Sequence, residues 1–381
     1  MQRVDIAIIG AGATGLMVAS HLENKNALLI DTNQDIGAKI AISGGGKCNI
    51  TNQKLSPKYY LGDLNFVKQI LSKYNNHTLI SWLKSQGLNP ILQKESQYFC
   101  PKSANEILNI FRKNIHHIPK QLNTKVLSVD KKNNRFVIDT NRGQIEAKKI
   151  VVASGGLSFA KLGATDIGYK IAQKFGHKVN RVRPALVGWT LQKEQFFFKE
   201  LSGISTFVKL STANKELEGN ILFAHKGISG PVILNASLYH TKGYITINFL
   251  PNFKLHSIRN SQKQLSTLLP LPKRVTKALL LSKNIPDKPI KKYDTTKWQE
   301  INNLFYSYFM APAGTFGYSK AEVTASGIDT SEIDPKTLQS RLCKGLYFGG
   351  EVLDITGELG GYNLQWAFSC GYTIAKGLNS V

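Results

Sequence analysis

The order of apolar and polar residues near the start of the chain predicts three elements. Residues 4–9 form a nearly continuous apolar run, which is typical of a strand buried on both faces. Residues 16–22 have helical apolar spacing, and residues 27–30 form a second apolar run that ends at Asp31. The pattern predicts strand, turn, helix and strand within about 30 residues, as in a Rossmann-like unit.

The predicted secondary structure changes twice along the middle of the chain. Residues 64–118 have mostly helical spacing. Strands are predicted next at 125–129, 135–138 and 144–152, with a turn at Asn133 and Asn134. From about residue 187, short alternating strands, such as 207–210 and 244–249, give way to lysine-rich helical segments at about 258–310. We therefore expect an inserted part that is β-rich first and helical afterwards.

Two predicted helices have recognisable signals at their N-termini. Thr165 or Asp166 can act as the N-cap of a helix that begins near residue 167, because a short polar side chain accepts from free backbone N–H groups. Ser229 precedes Pro231, and proline favours the first turn of a helix. A second helix is therefore expected from about residue 230.

The turn between the first strand and the first helix reads GAGATG. Gly10 suits the tight turn, Gly12 lets the backbone approach a pyrophosphate, and Gly15 allows close packing of helix and strand. Asp31 lies about 20 residues after Gly10, where an acid can hold ribose hydroxyls. An ordinary glycine turn is the alternative, but both strands and the acid favour a dinucleotide site.

Residues 37–52 form a glycine-rich loop with small polar side chains and two lysines, Lys39 and Lys47. Such a loop presents backbone N–H groups to a ligand. A flexible surface loop is the alternative, although Cys48 and Ile50 are unusual choices for exposure. The pattern favours a binding loop.

The end of the chain supplies a further glycine-rich element. A strand at 346–348 is followed by Gly350 and Glu351, and a helix opens after Gly360 and Gly361. This order is typical of the closing element of a two-dinucleotide-binding-type flavoprotein, in which the acid can hold ribityl hydroxyls and the helix N-terminus can face the flavin C2 carbonyl. The predicted strand at 150–152 likewise ends in small residues, namely Ala153, Ser154, Gly155 and Gly156.

Composition adds a strong positive charge that is unevenly placed. The 381 residues carry 49 Lys and Arg against 25 Asp and Glu, a formal net charge of +24. Residues 51–150 carry +11 and residues 191–300 carry +10, whereas residues 1–50 are neutral and residues 311–381 carry −2. A basic field attracts polyanions such as RNA. The alternative is that lysine is frequent in all proteins of the source organism and that these lysines only form solvated surfaces.

The spacing of the cysteines and the hydropathy of the chain argue against a metal-binding protein and against a membrane protein. The four cysteines show no CxxC pair and no metal-ligand spacing, so we expect reduced thiols and no metal. No apolar run is long enough to suggest a membrane span. The first predicted strand begins at residue 4 and leaves no room for a signal peptide. These features predict a cytoplasmic protein of two or three domains that does not associate with a membrane; they do not predict its oligomeric state.

These motifs together resemble one family. GAGATG, SGGGKCNITN, FAHKGISGP and GGEVLDITGELGGYNLQWA, spread over nearly the whole chain, are similar to the BaiN/RdsA-type NAD(P)/FAD-dependent oxidoreductases. The resemblance implies an α/β fold, with a Rossmann-like, two-dinucleotide-binding-type FAD domain that carries an inserted β-barrel-like domain and a helical domain. We place the FAD domain at 1–187 and 311–381, with the helical excursion at 64–118, the β-barrel-like domain at 188–257 and the helical domain at 258–310.

The resemblance also implies roles for individual residues. Gly10, Gly12, Gly15 and Asp31 hold the ADP half of FAD, the 39–51 loop lines the isoalloxazine, and the tail closes over the flavin. The full expected FAD set is Gly10, Gly12, Ala13, Thr14, Gly15, Asp31, Thr32, Lys39, Ser43, Gly44, Gly45, Lys47, Cys48, Asn49, Thr51, Val126, Ala153, Ser154, Gly155, Gly350, Glu351, Gly361, Tyr362, Asn363 and Leu364. The family usually has Arg at Lys47, and Thr at Ala224 beside His225.

Three functions compete. The first is reduction of a uridine of large-subunit ribosomal RNA to dihydrouridine, with NAD(P)H as a transient reductant, which suits the basic middle of the chain. The second is reduction or oxidation of a small enone or amine, and the third is RNA binding without turnover. Cys48 is the candidate proton donor, with packing beside the ring as its alternative.

Substrate contacts are expected in the inserted part. His225 lies in the FAHKGISGP stretch, and Lys273, Arg274 and Lys277 share one face of a predicted helix. Aromatic residues of the same part suit stacking on an extruded base, with core packing as the alternative. They are Phe196, Phe197, Phe198, Tyr239 and Tyr244.

Overall fold

The computed structural model describes residues 2–23 and 26–380. It divides the chain into two compact units, Met1–Pro184 with Val323–Val381, and Ala185–Glu322. The chain crosses from the first unit to the second within the strand Arg183–Ala185. Residues 311–322 belong to the second unit, because the strand Gly314–Thr315 pairs with Trp189–Thr190. The chain therefore returns to the first unit after residue 322, later than the expected boundary at 311.

A mostly parallel sheet forms the centre of the first unit. Gln2–Ile9 pairs in parallel with Ala27–Ile30 on one edge and with Gly143–Val152 on the other. The other edge of Gly143–Val152 is antiparallel to Arg135–Thr140 near its start and parallel to Leu346–Phe348 at its end. The carboxyl ends of the parallel strands therefore meet at one edge of the sheet, where ligands bind in such folds.

The bounds of the first unit's regular elements follow. Its strands are Gln2–Ile9, Ala27–Ile30, Asn49–Asn52, Tyr60–Gly62, Ile91–Gln93, Gln97–Phe99, Lys120–Gln121, Val126–Lys132, Arg135–Thr140, Gly143–Val152, Val323–Ala325, Leu346–Phe348 and Ile355–Gly357. Its α-helices are Ala13–His21, Ala38–Ile42, Leu64–Lys73, Asn76–Ser85, Asn105–Asn114, Ile167–Lys174 and Tyr362–Asn379.

The segment expected to be mostly helical, 64–118, contains three helices and a hairpin. The hairpin strands Ile91–Gln93 and Gln97–Phe99 pair with each other, and the second also pairs with Asn49–Asn52. This pairing joins the segment to the glycine-rich loop. The hairpin was missed because its strands are three residues long and too short for an alternation signal.

An antiparallel sheet and a group of helices form the second unit. The sheet runs in the order Tyr308–Met310, Ile245–Asn248, Ser205–Ser211, Glu216–Ala224, Gly227–Ser229, Trp189–Thr190 and Gly314–Thr315. The α-helices are Pro231–Tyr239, Leu265–Leu268, Lys273–Leu281 and Thr295–Tyr306. One hydrophobic core joins the sheet to the helices, with Phe198, Phe223 and Phe305 fully buried in it.

Both helices begin where the sequence predicted, but in neither does the expected side chain cap the helix. Asp166 stands at the N-cap of Ile167–Lys174 as predicted, but its side chain makes no capping hydrogen bond; the carboxylate pairs with Lys170 at 3.0 Å. Ser229 ends a strand, and Gly230 is the N-cap of Pro231–Tyr239. Gly230 has φ +92°, and a Cβ there would lie 2.6 Å from the Asn220 carbonyl oxygen, so no serine fits.

Candidate functional site

The glycine turn at the sheet edge is set by close backbone contacts. Gly10 has φ +108°, and a Cβ on it would collide with the carbonyl oxygen of Ala153. A Cβ on Gly15 would collide with the carbonyl oxygen of Gly10. These two glycines therefore pack the turn against the neighbouring strand and the first helix.

Gly12 differs from its two neighbours in the motif. A Cβ on Gly12 would meet nothing within 4 Å, although the residue is the N-cap of the helix Ala13–His21. The glycine therefore leaves open space in front of the free N–H groups of a helix N-terminus. Such a cradle fits a pyrophosphate.

Asp31 follows the second strand as predicted, and its carboxylate is already hydrogen-bonded. One oxygen accepts from the backbone N–H of Ala11 at 2.6 Å. The other accepts from the backbone N–H of Asn33 at 2.8 Å and from its side-chain amide at 3.0 Å. The acid thus fixes the glycine turn, and its remaining lone pairs can accept from a ribose hydroxyl.

A cleft opens beside Asp31 at the same sheet edge. It contains five residues of the expected FAD set together with others from the strand ends and the 163–167 turn. The lining residues are Ile9, Gly10, Ile30, Asp31, Thr32, Thr124, Lys125, Val126, Ser154, Gly163, Thr165 and Ile167. The structure therefore brings Thr32, Val126 and Ser154, all in the expected FAD set, into one cleft with Asp31.

Glu351 joins the last segment of the chain to the glycine-rich loop. Its carboxylate accepts from the Lys39 ammonium at 3.3 Å and from the backbone N–H of Thr324 at 2.8 Å. Gly155 lies beside this ion pair, and a Cβ on Gly156 would lie 2.6 Å from Glu351 Oε1. Lys39, Gly155 and Glu351 thus form one cluster.

Thr324 contacts both Glu351 and the loop after Gly156, and no sequence motif indicated this residue. Its hydroxyl oxygen accepts from the backbone N–H groups of Leu157 at 2.7 Å and Ser158 at 3.1 Å. Thr324 is fully buried. It therefore holds the loop after Gly156 in place while its own N–H orients Glu351.

The last helix, Tyr362–Asn379, lies against the first. Gly371 allows the close approach, since a Cβ there would lie 2.6 Å from the Met17 side chain. Trp366 donates its indole N–H to the Gly350 carbonyl at 3.1 Å. A Cβ on Gly350 would collide with the Thr14 hydroxyl. Thr14 and Gly350, both in the expected set, are therefore neighbours.

The glycine-rich loop places Cys48 in the core. Asn49 pairs with Phe99, and the backbone N–H of Cys100 donates to the Lys47 carbonyl at 2.9 Å, so Cys48 lies opposite Cys100. Both thiols are fully buried. The hydrogen bond between them, followed by burial, raises the pKa of Cys48 well above its usual value. The thiol stays protonated at neutral pH, and its burial favours the packing alternative over proton donation.

The polar residues around Cys48 connect the loop to the tail. Thr51 donates its hydroxyl to the Gln365 side chain at 2.5 Å. Asn49 donates to the Gln97 side chain at 2.7 Å. The Asn363 amide exchanges two 2.8 Å hydrogen bonds with the backbone of Gly357. Asn49, Thr51 and Asn363 thus order this region, with Gln97 and Gln365 as partners that the sequence did not indicate.

The remaining residues of the expected set lie on the same stretches. Ser43, Gly44, Gly45 and Lys47 are in the partly exposed loop, and Gly361, Tyr362 and Leu364 open the last helix. Ala13 and Ala153 flank the glycine turn. All of them belong to the first unit.

Buried acceptors without a partner provide a test of whether a bound group fits. Ser154 Oγ and Asn49 Oδ1 are buried and have no hydrogen-bond partner. Such atoms are costly to bury unless a ligand or water satisfies them. Together with the open cradle at Gly12, they fit a long polar cofactor such as FAD.

The residues expected to contact substrate lie in the second unit. His225 is exposed in the turn between Glu216–Ala224 and Gly227–Ser229. Lys273, Arg274 and Lys277 are all exposed on the helix Lys273–Leu281. Arg274 also donates to the carbonyl of Glu200 at 2.6 Å.

The aromatic candidates for base stacking differ in exposure. Phe198 is fully buried and Phe197 packs against the core of the second unit. Core packing, the alternative to base stacking, is therefore the role of both. Lys199 lies over the ring of the exposed Phe196, and Lys215 lies over Tyr239. Tyr244 is the most exposed of the five.

Two kinds of feature are not found in the part of the chain that the structure describes. Within residues 2–23 and 26–380, no helix combines the length and apolar character needed to cross a membrane. The same residues contain no group of three or more His, Cys, Asp or Glu side chains arranged to hold a metal ion.

Comparison with known proteins places the chain among oxidoreductases. The family described as HI0933-like protein Rossmann domain matches residues 4–377. A ribosomal RNA dihydrouridine synthase of Haemophilus influenzae is 37% identical, over 98% of this chain and 98% of that protein. One from Escherichia coli is 36% identical, over 99% and 98%. A 3-dehydro-bile acid delta(4,6)-reductase of Clostridium scindens is 27% identical, over 97% and 98%.

Proposed function

The chain belongs to the HI0933-like Rossmann-domain family, and we propose that it reduces a uridine of large-subunit ribosomal RNA to dihydrouridine. The family, the α/β fold class with its Rossmann-type sheet and the FAD-dependent oxidoreductase activity predicted from the sequence are confirmed. The substrate, the reductant and the roles of individual residues belong to the proposal.

The near full-length similarity to two ribosomal RNA dihydrouridine synthases carries the proposal. The bile-acid reductase supports the same type of chemistry. Its substrate name describes double bonds conjugated to a ketone, and the C5–C6 double bond of uracil is conjugated to a carbonyl as well. In both cases the reaction adds a hydride to one carbon and a proton to the other.

Residues of the first unit are proposed to hold FAD, which when reduced supplies the hydride. Gly12 and the N-terminus of Ala13–His21 would take the pyrophosphate, because that space is open and faces free N–H groups. Asp31 and the cleft with Thr32 and Val126 would take the adenosine. We assign this unit, Met1–Pro184 with Val323–Val381, as the FAD-binding domain.

The flavin end is proposed to lie between the glycine-rich loop and the last helix. Gly361 leads into Tyr362–Asn379, whose N-terminus carries partial positive charge. That charge would stabilise an anionic ring. Lys39 and Glu351 hold each other in place at the sheet edge, where Lys39 can hydrogen-bond to a carbonyl of the ring.

NAD(P)H is proposed to reduce the flavin from a transient site. The described chain shows one GxGxxG turn after a strand, at Gly10, and it is assigned to FAD. A nicotinamide that docks briefly and leaves would open access for a uridine. The RNA itself would be held through the basic residues, which give the chain its net charge of +24.

Mass spectrometry of ribosomal RNA tests the proposal. Large-subunit RNA from cells that lack this protein should lose one dihydrouridine, and purified protein with NADH or NADPH should restore it. Tests with each nucleotide separately identify the reductant. RNA with an unchanged dihydrouridine content in the deletion strain contradicts the proposed substrate.

A small conjugated ketone is the second candidate substrate, supported by the bile-acid reductase. NAD(P)H consumption separates the two candidates. An RNA substrate predicts that oxidation of NAD(P)H under anaerobic conditions needs the deletion-strain RNA. A small-molecule reductase would oxidise NAD(P)H with a steroid enone and without RNA.

A further inference from the structure

The outer face of the sheet in the second unit carries a stacked pair of exposed aromatic rings. Tyr244 precedes the strand Ile245–Asn248, and Phe309 lies in Tyr308–Met310. Their ring centroids are 4.3 Å apart with an interplanar angle of 16°. Tyr244 is 63% exposed and Phe309 is 61% exposed. The outward side of each ring is therefore open to another flat group.

Strand register explains why the rings point away from the core. Phe309 pairs with Thr246 of the neighbouring strand. Ile245 and Ile247, which flank Thr246, are fully buried. Side chains alternate between the two faces of a strand, so Thr246 and Phe309 lie on the outer face. On the neighbouring strands, Phe207 and Leu222 are also exposed on that face.

The charges of this face differ from those of the unit as a whole. Residues 185–322 carry 18 Lys and Arg against 8 Asp and Glu. In the described strands of the outer face, however, the charged side chains are Lys209, Glu216 and Glu218, and Lys209 pairs with Glu216 at 2.9 Å. A nearly balanced, partly aromatic face thus lies within a strongly basic unit.

This combination suits single-stranded RNA. Bases stack on exposed aromatic rings of a sheet, while basic residues outside the face take the phosphates. The exposed Lys242, two residues before Tyr244, is one such residue at the edge of the face. We propose that Tyr244 and Phe309 form a stacking platform for bases of the RNA substrate; the inference rests on the proposed function.

Binding of a labelled oligouridine, measured by fluorescence anisotropy, tests the platform. The double variant Tyr244→Ala/Phe309→Ala should bind on the order of 10-fold more weakly or worse, since stacking on aromatic rings supplies much of the affinity for single-stranded bases. The slope of affinity against salt should stay that of the wild type, because no phosphate contact is lost. The variant Tyr244→Phe/Phe309→Tyr keeps both rings and should bind like the wild type.

Leu342→Ala is the control for lost apolar surface, since Leu342 is 53% exposed in the first unit, and it should leave affinity unchanged. An alanine double variant with wild-type affinity overturns the platform alone. Wild-type protein that fails to bind any RNA overturns the platform and the RNA substrate together. A wild-type dimer that becomes a monomer in the double variant, by sedimentation velocity, assigns the face to a second copy and also overturns the platform.

Discussion

At the scale of single residues, open space distinguishes Gly12 from the other glycines of its motif. The absence of any neighbour within 4 Å of a Cβ there means that the fold does not need a glycine. The Gly12→Asp variant should therefore fold but place a carboxylate in the pyrophosphate site. We expect colourless protein with an unchanged circular dichroism spectrum, whereas the wild type should be yellow and release FAD, not FMN, on denaturation.

Gly15 provides the contrast. A Cβ on Gly15 would collide with the Gly10 carbonyl, so Gly15→Ala should lower the yield of folded protein itself. Gly12→Asp protein with full FAD content would remove the assignment of the cradle. Loss of fold in both variants would show that the motif has only a structural role.

His177 is a residue whose protonation should affect stability. Its side chain is fully buried, Nε2 lies 2.7 Å from the Ser340 hydroxyl, and Nδ1 lies 3.1 Å from Glu332 Oε2. The Ser340 oxygen accepts from the backbone N–H groups of both Leu342 and Cys343, so its own hydroxyl proton is left to donate to Nε2. Burial lowers the pKa of His177 below its ordinary value, although Glu332 opposes the shift.

A lowered pKa in the folded state means that the unfolded chain takes up the proton first. The neutral imidazole therefore contributes full stability above about pH 6.5, the ordinary pKa, and loses it as the pH falls. Melting temperatures between about pH 5 and 8 should decrease less toward acid in His177→Gln than in the wild type. Burial also lowers the pKa values of His21 and His240, so some decrease remains in the variant. Parallel profiles would contradict the role of His177.

Short motifs allowed the position of part of the candidate site, at the strand ends, to be predicted from the sequence. Gly10, Asp31 and Glu351 lie where the strand ends predicted them. Thr324 and Cys100 were missed because their partners lie far along the chain: Thr324 binds Leu157, and Cys100 lies opposite Cys48. Such contacts depend on tertiary folding, and no local spacing encodes them.

At the scale of elements, strands flanked by clear turns were predicted well. The expected strands at 135–138 and 144–152 are Arg135–Thr140 and Gly143–Val152 in the structure. Asn133 and Asn134 form the turn before them with positive φ, as asparagine permits. The short strand Gln97–Phe99 also pairs with the distant strand Asn49–Asn52, so its own sequence carries little signal.

The helix Lys273–Leu281 allows a prediction at this scale. Val275 and Thr276 are buried while Lys273, Arg274 and Lys277 are exposed, so the helix presents three cations outward. Replacing all three by alanine should weaken RNA binding and reduce the steepness of its salt dependence. FAD content should not change, because the helix belongs to the second unit.

Lys297 offers a matched control for that variant. It is already paired with Glu300 at 2.6 Å on the helix Thr295–Tyr306, so Lys297→Ala should change RNA binding less. Equal affinity of the triple variant and the wild type, measured at low salt, would remove the helix from the proposed RNA surface.

At the scale of the whole molecule, the charge separates two tasks. The residues proposed for the cofactor come largely from the first 50 and last 70 positions, where positive and negative charges nearly balance. The excess of Lys and Arg lies between them, and residues 185–322 alone carry +10. Cofactor binding should therefore depend on shape and hydrogen bonds, and RNA binding on long-range charge.

Salt should therefore affect the two kinds of binding very differently. Each phosphate that a cation neutralises releases counterions from the RNA, so affinity falls as a power of the salt concentration. If about six phosphates are contacted, wild-type affinity for RNA should fall by about 10³ between roughly 50 and 200 mM salt. FAD should stay bound over the same range, as measured by flavin absorbance after gel filtration. RNA affinity that does not change with salt would show that the lysines form only a solvated surface, and it would remove the charge argument for an RNA substrate.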